Sequence, residues 1–243
     1  MDSAAGPLIV VAALVFGLLW LAGGGLDKGR RGEGRIDRCL RSGLPEGYHV
    51  FRDLTLPSRG NTTQIDHLVI SPFGVFVIET KTMSGWIFGG AQQRRWKQIV
   101  HRHRRDFQNP IHQNFGHVKA VESLLGLALA QVHNLVTFAG TAVPKTPMPP
   151  NVSWTHRQLL GDIRSRDIRR LSEEEVASCV KVLSGADLVS TRATSRAHRQ
   201  NVGKARASCP RCGGGLVQRV NRRTGRPFLG CARYPACKGT RPL

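Results

Sequence analysis

The chain has 243 residues, enough for one main domain with small additions, because a domain takes roughly 100–200 residues. It carries 36 Lys and Arg against 16 Asp and Glu, a formal net charge of +20, and residues 188–243 hold 13 of these basic residues and no acidic one. A basic tail favours a polyanionic partner, either nucleic acid or anionic lipid headgroups, with a solvated basic surface as the alternative. Four of the six cysteines lie in the last 35 residues, which argues against a disulfide framework and for a metal site in a reducing compartment.

An uncharged segment, residues 3–26, lies near the amino end of the chain. A helix of this length would be about 36 Å long, enough to cross the roughly 30 Å hydrocarbon core of a bilayer. Lys28, Arg30 and Arg31 follow directly, and the positive-inside rule then places the rest of the chain in the cytoplasm. We therefore expect an uncleaved single-pass anchor in the cell membrane. A cleaved signal peptide is the alternative, although Asp2 stands where such peptides carry basic residues.

Apolar periodicity and turn residues divide the next part of the chain into helices and strands. The predicted elements are a helix over 32–42, a strand over 48–57, a turn over 58–64, two strands within 65–81, a hairpin over 85–100, a helix over 109–130, a strand over 132–143, a proline-rich loop over 144–150 and a helix over 171–185. Trp86 and Trp96 are expected to pack in the core. The last helix shows a capping box, with Ser172 at the cap and Glu175 three residues later. This order is typical of an α/β domain but does not select one α/β fold.

Three charged residues, Asp66, Glu79 and Lys81, interrupt the otherwise apolar strands within 65–81. A buried charge is costly unless it is paired or holds a metal. Glu79 and Lys81 are two residues apart on one strand and point to the same face, and Asp66 can lie beside them if the hairpin forms. Two carboxylates and a cation suit phosphodiester hydrolysis, because the acids can hold Mg²⁺, the metal can activate water, and the lysine can stabilise the transition state. The alternative is an exposed ion pair of small energetic value.

Three segments together resemble a known family: "GEGRIDRCL" (32–40), "IDHLVISPFGVFVIETKTMSGWIFGG" (65–90) and "NPIHQNFGHVKAVESLL" (109–125). In this order they resemble the nuclease-related domain, NERD, which is placed in the PD-(D/E)xK nuclease superfamily. The resemblance covers about residues 30–185. It implies an α/β domain with a restriction-endonuclease-like core, in which helices flank a mixed central sheet.

The resemblance also implies roles for five residues. Asp66 matches the metal-binding aspartate of the family, and Glu79 and Lys81 match its Glu-x-Lys pair. Glu33 matches the glutamate of an early Gly-Glu motif, and Gln113 matches the glutamine of an Asn-Pro-x-x-Gln motif on the later helix. Taken without the resemblance, Glu33 would simply favour the positive end of its helix, and Gln113 would be a surface residue.

Basic residues are concentrated just after the charged strands, together with two histidines. The basic residues are Arg94, Arg95, Lys97, Arg102, Arg104 and Arg105. Side chains of this type contact phosphates and position a nucleic acid without reading its sequence. We expect Arg94 and Arg95 to bind nucleic acid, and a solvated strand edge guarded by charge is the alternative.

The carboxyl-terminal cysteines form two close pairs, Cys209 with Cys212 and Cys231 with Cys237, separated by 18 residues. Four thiolates in this pattern suit tetrahedral Zn²⁺, and in so small a module the metal supplies the folding free energy. The segment 208–243 also contains Cys-Pro-x-Cys-Gly, Gly-x-Pro-Phe-x-Gly-Cys and Tyr-Pro-x-Cys. With these elements it resembles the zinc ribbons at the end of bacterial type IA DNA topoisomerases.

Those ribbons bind single-stranded DNA, so the resemblance implies the same role here. Arg222, Arg223 and Arg226 would then meet phosphates, while Phe228 and Tyr234 stack on bases. The alternative is that these two aromatic residues form the minimal core of the ribbon, and for Phe228 this alternative is favoured.

The predicted organisation is an anchor over 3–26, a nuclease-related domain over 30–185, a basic linker over 186–207 and a zinc ribbon over 208–243. It favours a membrane-anchored, Mg²⁺-dependent nuclease that hydrolyses DNA and holds DNA, including single-stranded DNA, through a Zn²⁺ ribbon. No small-molecule substrate is expected. One alternative is a non-catalytic membrane tether that binds DNA. Another is a lipid-surface protein, which the ribbon disfavours because headgroup attraction needs no such fold.

Overall fold

The computed structural model describes residues 29–58, 61–185, 188 and 208–242. The predicted anchor at 3–26 lies outside these residues, as does the predicted linker at 186–207 except for residue 188. Within the described ranges, no helix is both long enough and apolar enough to span a bilayer.

The larger domain contains four helices and nine strands among the described residues. Helix α1 covers residues 29–43. The strands are β1 (His49–Ser58), β2 (Asn61–Ser71), β3 (Gly74–Lys81), β4 (Ser84–Phe88), β5 (Arg95–Val100), β6 (His103–Gln108), β7 (Val132–Phe138), β8 (Thr141–Pro144) and β9 (Val152–Ser153). The other helices are α2 (Pro110–Leu125), α3 (His156–Arg164) and α4 (Glu173–Leu183), and a short 3-10 helix covers Leu129–Gln131.

A five-stranded mixed sheet in the order β1-β2-β3-β7-β9 forms the centre of this domain. β2 and β3 pair antiparallel, whereas β3 with β7 and β7 with β9 are parallel. β3 is the middle strand and is buried along nearly its whole length, so it meets protein on both faces. On one face, Phe76 belongs to a core cluster with Ile36 of α1 and Leu159 of α3. Helix α2 lies against the other face, which confirms a mixed sheet flanked by helices.

A second, four-stranded sheet in the order β6-β5-β4-β8 follows the first. Ile87 and Trp96 on its inner face are buried with Phe138 and Val152 of the main sheet. The sequence prediction that both tryptophans pack in the core is half right. Trp96 is 1% exposed, but Trp86 is 51% exposed, because it precedes Ile87 on the same strand and so points to the outer face.

The chain passes between the two sheets twice, side by side. β3 and β7 are parallel neighbours in the main sheet, and their continuations β4 and β8 are parallel neighbours in the second. At one crossing a Cβ atom on residue 140 would collide with the carbonyl oxygen of Met83, so Gly140 permits the close approach. The prediction of one strand over 132–143 is therefore wrong, because the chain changes sheets between Phe138 and Thr141.

Other boundaries also differ from the sequence prediction. Helix α2 ends at Leu125 rather than at residue 130, because Gly126 adopts a left-handed conformation with φ of 66° and caps the helix. The turn predicted over 58–64 is shorter, since β2 already begins at Asn61. Strand β6 was missed because five of its six residues are exposed and give no apolar pattern. The capping box of α4 at Ser172 is confirmed.

The fully buried side chain of Asn109 joins the second sheet to helix α2. Its Oδ1 accepts the backbone N–H of Ile111 at 2.9 Å and so caps the helix. Its Nδ2 donates to the carbonyl oxygens of Gly90, Ala91 and Gln93 at 3.3, 3.1 and 2.8 Å. One amide therefore fixes both the start of α2 and the loop that precedes β5.

The cysteine-rich segment forms a separate three-stranded antiparallel sheet. Its strands are β10 (Leu216–Val220), β11 (Pro227–Cys231) and β12 (Thr240–Pro242), with β11 in the middle. β10 is exposed at four of its five residues, so the sheet itself buries little apolar surface.

Replacing Asn109 with Ala should lower the free energy of unfolding of the larger domain by about 3 kcal/mol, because it removes a helix cap and three further hydrogen bonds. Ser172→Ala is the matched control, since it removes an exposed helix cap and one exposed hydrogen bond to Glu174, and it should cost about 1 kcal/mol. Urea unfolding followed by circular dichroism measures both values. Equal losses in the two variants would show that the three carbonyl contacts contribute nothing.

Candidate functional site

Asp66 lies at the point where strands β2 and β3 separate. Their last antiparallel pair is His67 with Ile78, and beyond it the backbone N–H of Thr80 donates to Asp66 Oδ2 at 2.8 Å. The carboxylate thus occupies the place of a ladder hydrogen bond. Extending the register by one residue sets Asp66 opposite Glu79, so the two carboxyl groups share one face of the sheet.

Glu79, Lys81 and Gln113 form a closed triangle of hydrogen bonds on this face. Lys81 Nζ donates to Glu79 Oε1 at 2.6 Å and to Gln113 Oε1 at 3.0 Å, and Gln113 Nε2 donates to Glu79 Oε1 at 2.8 Å. Glu79 is buried, while Lys81 keeps 21% of its side chain exposed. Strand β3 supplies the two charges and helix α2 supplies the amide, so the arrangement depends on the packing of that helix on the sheet.

His117 is a member of this cluster that the sequence analysis missed. It follows Gln113 by four residues on α2 and therefore lies on the same face of the helix. Its Nε2 is 3.3 Å from Glu79 Oε2, the oxygen that the triangle leaves free. The available signal was the spacing of Gln113 and His117, which is that of one helical turn.

Negative charge is crowded at this site. Burial, followed by the charge of Glu79, raises the pKa of Asp66 well above its usual range, and Glu33 of α1 contributes in the same direction. The pKa of Glu33 is itself raised, first by burial and then by Asp53. Burial would also raise the pKa of Glu79, but the close contact with His117 Nε2 and the charge of Lys81 outweigh it, so this pKa is lowered. A carboxylate cluster of this kind attracts a cation.

The donor set of this cluster fits a hard metal ion in part. Among the described residues, only the four cysteines bring three or more His, Cys, Asp or Glu ligand atoms within 4.8 Å of one another. Asp66 and Glu79 therefore offer two carboxylates without a converging third. That number suits Mg²⁺, which usually takes one or two carboxylates from the protein and fills its other positions with water and substrate oxygens.

The four predicted zinc ligands do converge. The Sγ atoms of Cys209 and Cys237 are 3.7 Å apart, and those of Cys212 and Cys231 are 3.5 Å apart. Tetrahedral Zn²⁺ with bonds of about 2.3 Å places its sulfur ligands roughly 3.8 Å apart, so the cluster has the dimensions of a zinc site. A Cβ atom on Gly239 would collide with the Cys209 sulfur, so this glycine allows the chain to close around the cluster.

The predicted nucleic-acid residues are all at the surface. Arg94 and Arg95 are exposed at the start of β5, outside the carboxylate cluster. Three further arginines lie in the exposed turn between β10 and β11: Arg222, Arg223 and Arg226. Tyr234 is 58% exposed with the Arg219 guanidinium 5.4 Å from its ring centre, whereas Phe228 is partly buried in β11. Tyr234 is thus available for stacking, and Phe228 contributes to the core of the ribbon.

The chain thus combines a mixed α/β domain, in which a buried glutamate pairs with a partly exposed lysine, with a four-cysteine ribbon. Comparison with protein families confirms both resemblances. The chain carries a nuclease-related domain, matched over residues 28–139, and a topoisomerase DNA-binding C4 zinc finger, matched over residues 206–243.

Relatives match one part of the chain at a time. An uncharacterized protein of Bacillus anthracis is 46% identical over 99 residues, which are 40% of this chain and 47% of that protein. DNA topoisomerase 1 of Pyrococcus horikoshii is 46% identical over 35 residues, 14% of this chain and 5% of the enzyme. The uncharacterized protein YrdD of Escherichia coli is 56% identical over 36 residues, 15% of this chain and 19% of that protein. The matches thus span about half of the Bacillus protein and less of the others. No solved structure matches the chain.

The purified chain should contain one zinc ion, and Cys231→Ser should release it, because three thiolates hold Zn²⁺ less firmly than four. Metal content measured by mass spectrometry tests this. Cys39→Ser is the control, since Cys39 lies on α1 and should leave the zinc content unchanged. Full zinc occupancy in Cys231→Ser would contradict the assignment of this ligand.

Proposed function

We propose that this chain is a metal-dependent nuclease that hydrolyses phosphodiester bonds in DNA. The observation that carries the proposal is the contact set around Glu79, in which Lys81, Gln113 and His117 all converge on one buried carboxylate with Asp66 across the hairpin. The nuclease-related domain found over the same residues supports this reading. So does the mixed sheet with α1 and α2 on opposite faces, which suits a restriction-endonuclease-like core of the PD-(D/E)xK type.

Each residue of the cluster has a distinct role in this proposal. Asp66 and Glu79 hold Mg²⁺, which when bound polarises a phosphoryl oxygen and lowers the pKa of water. Lys81 is partly exposed and stabilises the negative charge that develops on the phosphoryl group during attack. Gln113 fixes the direction of the Lys81 ammonium and of the Glu79 carboxylate, and Glu33 adds negative charge at the margin of the site. The lysine and both carboxylates lie on one hairpin, so their separation varies little.

The ribbon supplies nucleic-acid binding in this proposal. Its family is described as DNA binding, and its exposed arginines and Tyr234 provide phosphate and stacking contacts. We further propose that residues 3–26 anchor the chain in the cell membrane with both domains in the cytoplasm. The uncharged run and the basic residues that follow it support this topology.

Asp66→Ala should abolish Mg²⁺-dependent cleavage, because a single carboxylate remains to hold the metal. Lys81→Ala should keep metal binding but lower the cleavage rate about 10²–10³-fold, since its charge matters most in the transition state. Lys81→Arg should restore only part of that rate, because a planar fork replaces a compact ammonium. Cleavage of labelled DNA in single-turnover assays with Mg²⁺ or Mn²⁺, and with a chelator, measures these effects.

Thr80→Val is the matched control for this series. Thr80 lies between Glu79 and Lys81 but points to the opposite face, and valine preserves its shape, so the cleavage rate should stay at the wild-type value. Equal cleavage by the wild type, Asp66→Ala and Lys81→Ala would reveal a contaminating enzyme. If the wild type cleaves no DNA with either metal, the nuclease proposal is contradicted and the non-catalytic, DNA-binding membrane tether is favoured.

His117 acts as a positioning residue through its contact with Glu79 Oε2. His117→Leu should raise the Mg²⁺ concentration needed for half-maximal cleavage about tenfold while changing the rate at saturating metal less, because the Glu79 carboxylate is then free to turn. His117→Gln retains a donor and should restore part of the metal affinity. A purely structural role would instead lower the melting temperature and the saturated rate together, with no change in metal dependence.

A further inference from the structure

The outer face of the β6-β5-β4-β8 sheet carries an apolar stripe among basic side chains. Strand registers align Val143, Trp86, Ile99 and Arg104 in one row across all four strands. Trp86 is 51% exposed and Val143 is 48% exposed, whereas Ile87, beside Trp86, is buried on the inner face and Ala142, beside Val143, is partly buried there. This stripe has no covering element among the described residues, and the nuclease chemistry proposed above does not use it.

Basic side chains lie next to Trp86 and on the neighbouring strands of this face. Lys145 Nζ lies 4.9 Å from the centre of the Trp86 ring, in a cation–π contact. The neighbouring row aligns Phe88 with Lys97 and Asp106, so the one acid that the described strands place on this face is opposite a lysine. Arg95 begins β5 on the same face. The face therefore combines an exposed indole with an excess of positive charge.

A cleft of about 450 Å³ runs along this face. Phe88, Ile99, Lys97 and Arg104 are among its lining residues. Asp106 is the one acid there, so its walls are apolar with an excess of positive charge. A second cleft of about 390 Å³, lined by Trp86 and Ile99, continues the surface on the other side of the stripe. The two clefts share Ile99, and together they form an elongated surface rather than a closed pocket for a small molecule.

We propose that this outer face binds an unpaired stretch of nucleic acid, with a base stacked on Trp86 and the backbone phosphates contacted by Lys145, Lys97 and Arg104. Aromatic side chains on an exposed sheet beside basic residues bind single strands in this way, because every base offers a stacking surface. The phosphates of a duplex would contact the basic side chains, but its bases are stacked on one another and are not available to stack on the Trp86 indole. The positive charge argues against a second copy of this face as the occupant, because like charges would meet.

Binding of a single strand at this face extends the proposed nuclease function. It rests on that function in one respect only, the cleavage of the bound strand. Trp86 follows Lys81 by five residues, so their Cα atoms are at most about 18 Å apart along the chain. A strand held at Trp86 therefore stays close to the carboxylate cluster in the same domain. Binding at this face requires neither cleavage nor metal, which allows the two ideas to be tested separately.

The test uses the full chain carrying Asp66→Ala, in the presence of a chelator, and titrates a short oligothymidylate while tryptophan fluorescence is recorded. Three of the four tryptophans lie in the larger domain and the fourth, Trp20, lies in the predicted anchor, so the ribbon contributes no tryptophan signal. Binding should quench the fluorescence, and Trp86→Phe should remove most of the quenching. Trp86→Ala should weaken the binding about tenfold, as expected for one stacked base.

Matched controls separate stacking and charge from general surface effects. Ile168→Ala removes an exposed apolar side chain elsewhere and should bind like the parent protein. Lys145→Ala should weaken binding and reduce its salt dependence, whereas Lys181→Ala, an exposed lysine on α4, should not. Circular dichroism confirms that each variant is folded.

Three results would overturn the proposal. Unchanged affinity and quenching in Trp86→Ala would show that the strand binds elsewhere. Equal, Trp86-dependent binding of a blunt duplex would exclude recognition of unpaired bases. Self-association of the chain that Trp86→Ala abolishes would make a second copy the occupant. If the wild type cleaves no DNA but the oligothymidylate still quenches its fluorescence, only the nuclease proposal is contradicted.

Discussion

The buried carboxylate of Glu79 is the interaction on which the candidate site depends. An ionised carboxylate taken out of water is stable only if charged or polar partners replace the solvent. Lys81 provides one partner from the same strand, and Gln113 and His117 provide two more from helix α2. Burying this one charge therefore fixes β3 and α2 against each other, and the group that would bind metal is also the group that sets the position of its neighbours.

Helix α2 is held by directional contacts on either side of Gln113. Asn109 caps the helix, and Asn114 Nδ2 donates to Val77 O, Asn134 Oδ1 and Leu135 O at 2.8, 2.8 and 2.9 Å. Apolar packing alone is non-directional and would tolerate a small slide of the helix. Hydrogen bonds from a buried amide to two adjacent strands would be broken by such a slide, so Gln113 contacts Glu79 at a defined distance.

The sequence predicts the hairpin and its charges because strand alternation is a local rule: Glu79 and Lys81 share a face wherever the strand forms. The capping box at Ser172 is local in the same sense. Contacts between residues of distant elements are not local in this sense. His117 contacts Glu79 across 38 positions of sequence, and the exposure of Trp86 depends on a second sheet whose outer strand has no apolar pattern. A polar strand leaves no periodic signal, and the helical spacing of Gln113 and His117 does not say which strand they contact, so only the folded chain identifies these features.

The two domains stabilise their charged groups in opposite ways. The larger domain buries enough apolar surface to keep a carboxylate away from water, and it neutralises that carboxylate with its own side chains. The ribbon has mostly exposed strands and too small a core to do the same, so four thiolates around one ion must supply its cohesion. Metal is therefore structural where the chain is small. In the larger domain apolar packing and the side-chain partners of Glu79 already hold the fold, so a metal there would be free to serve chemistry rather than stability.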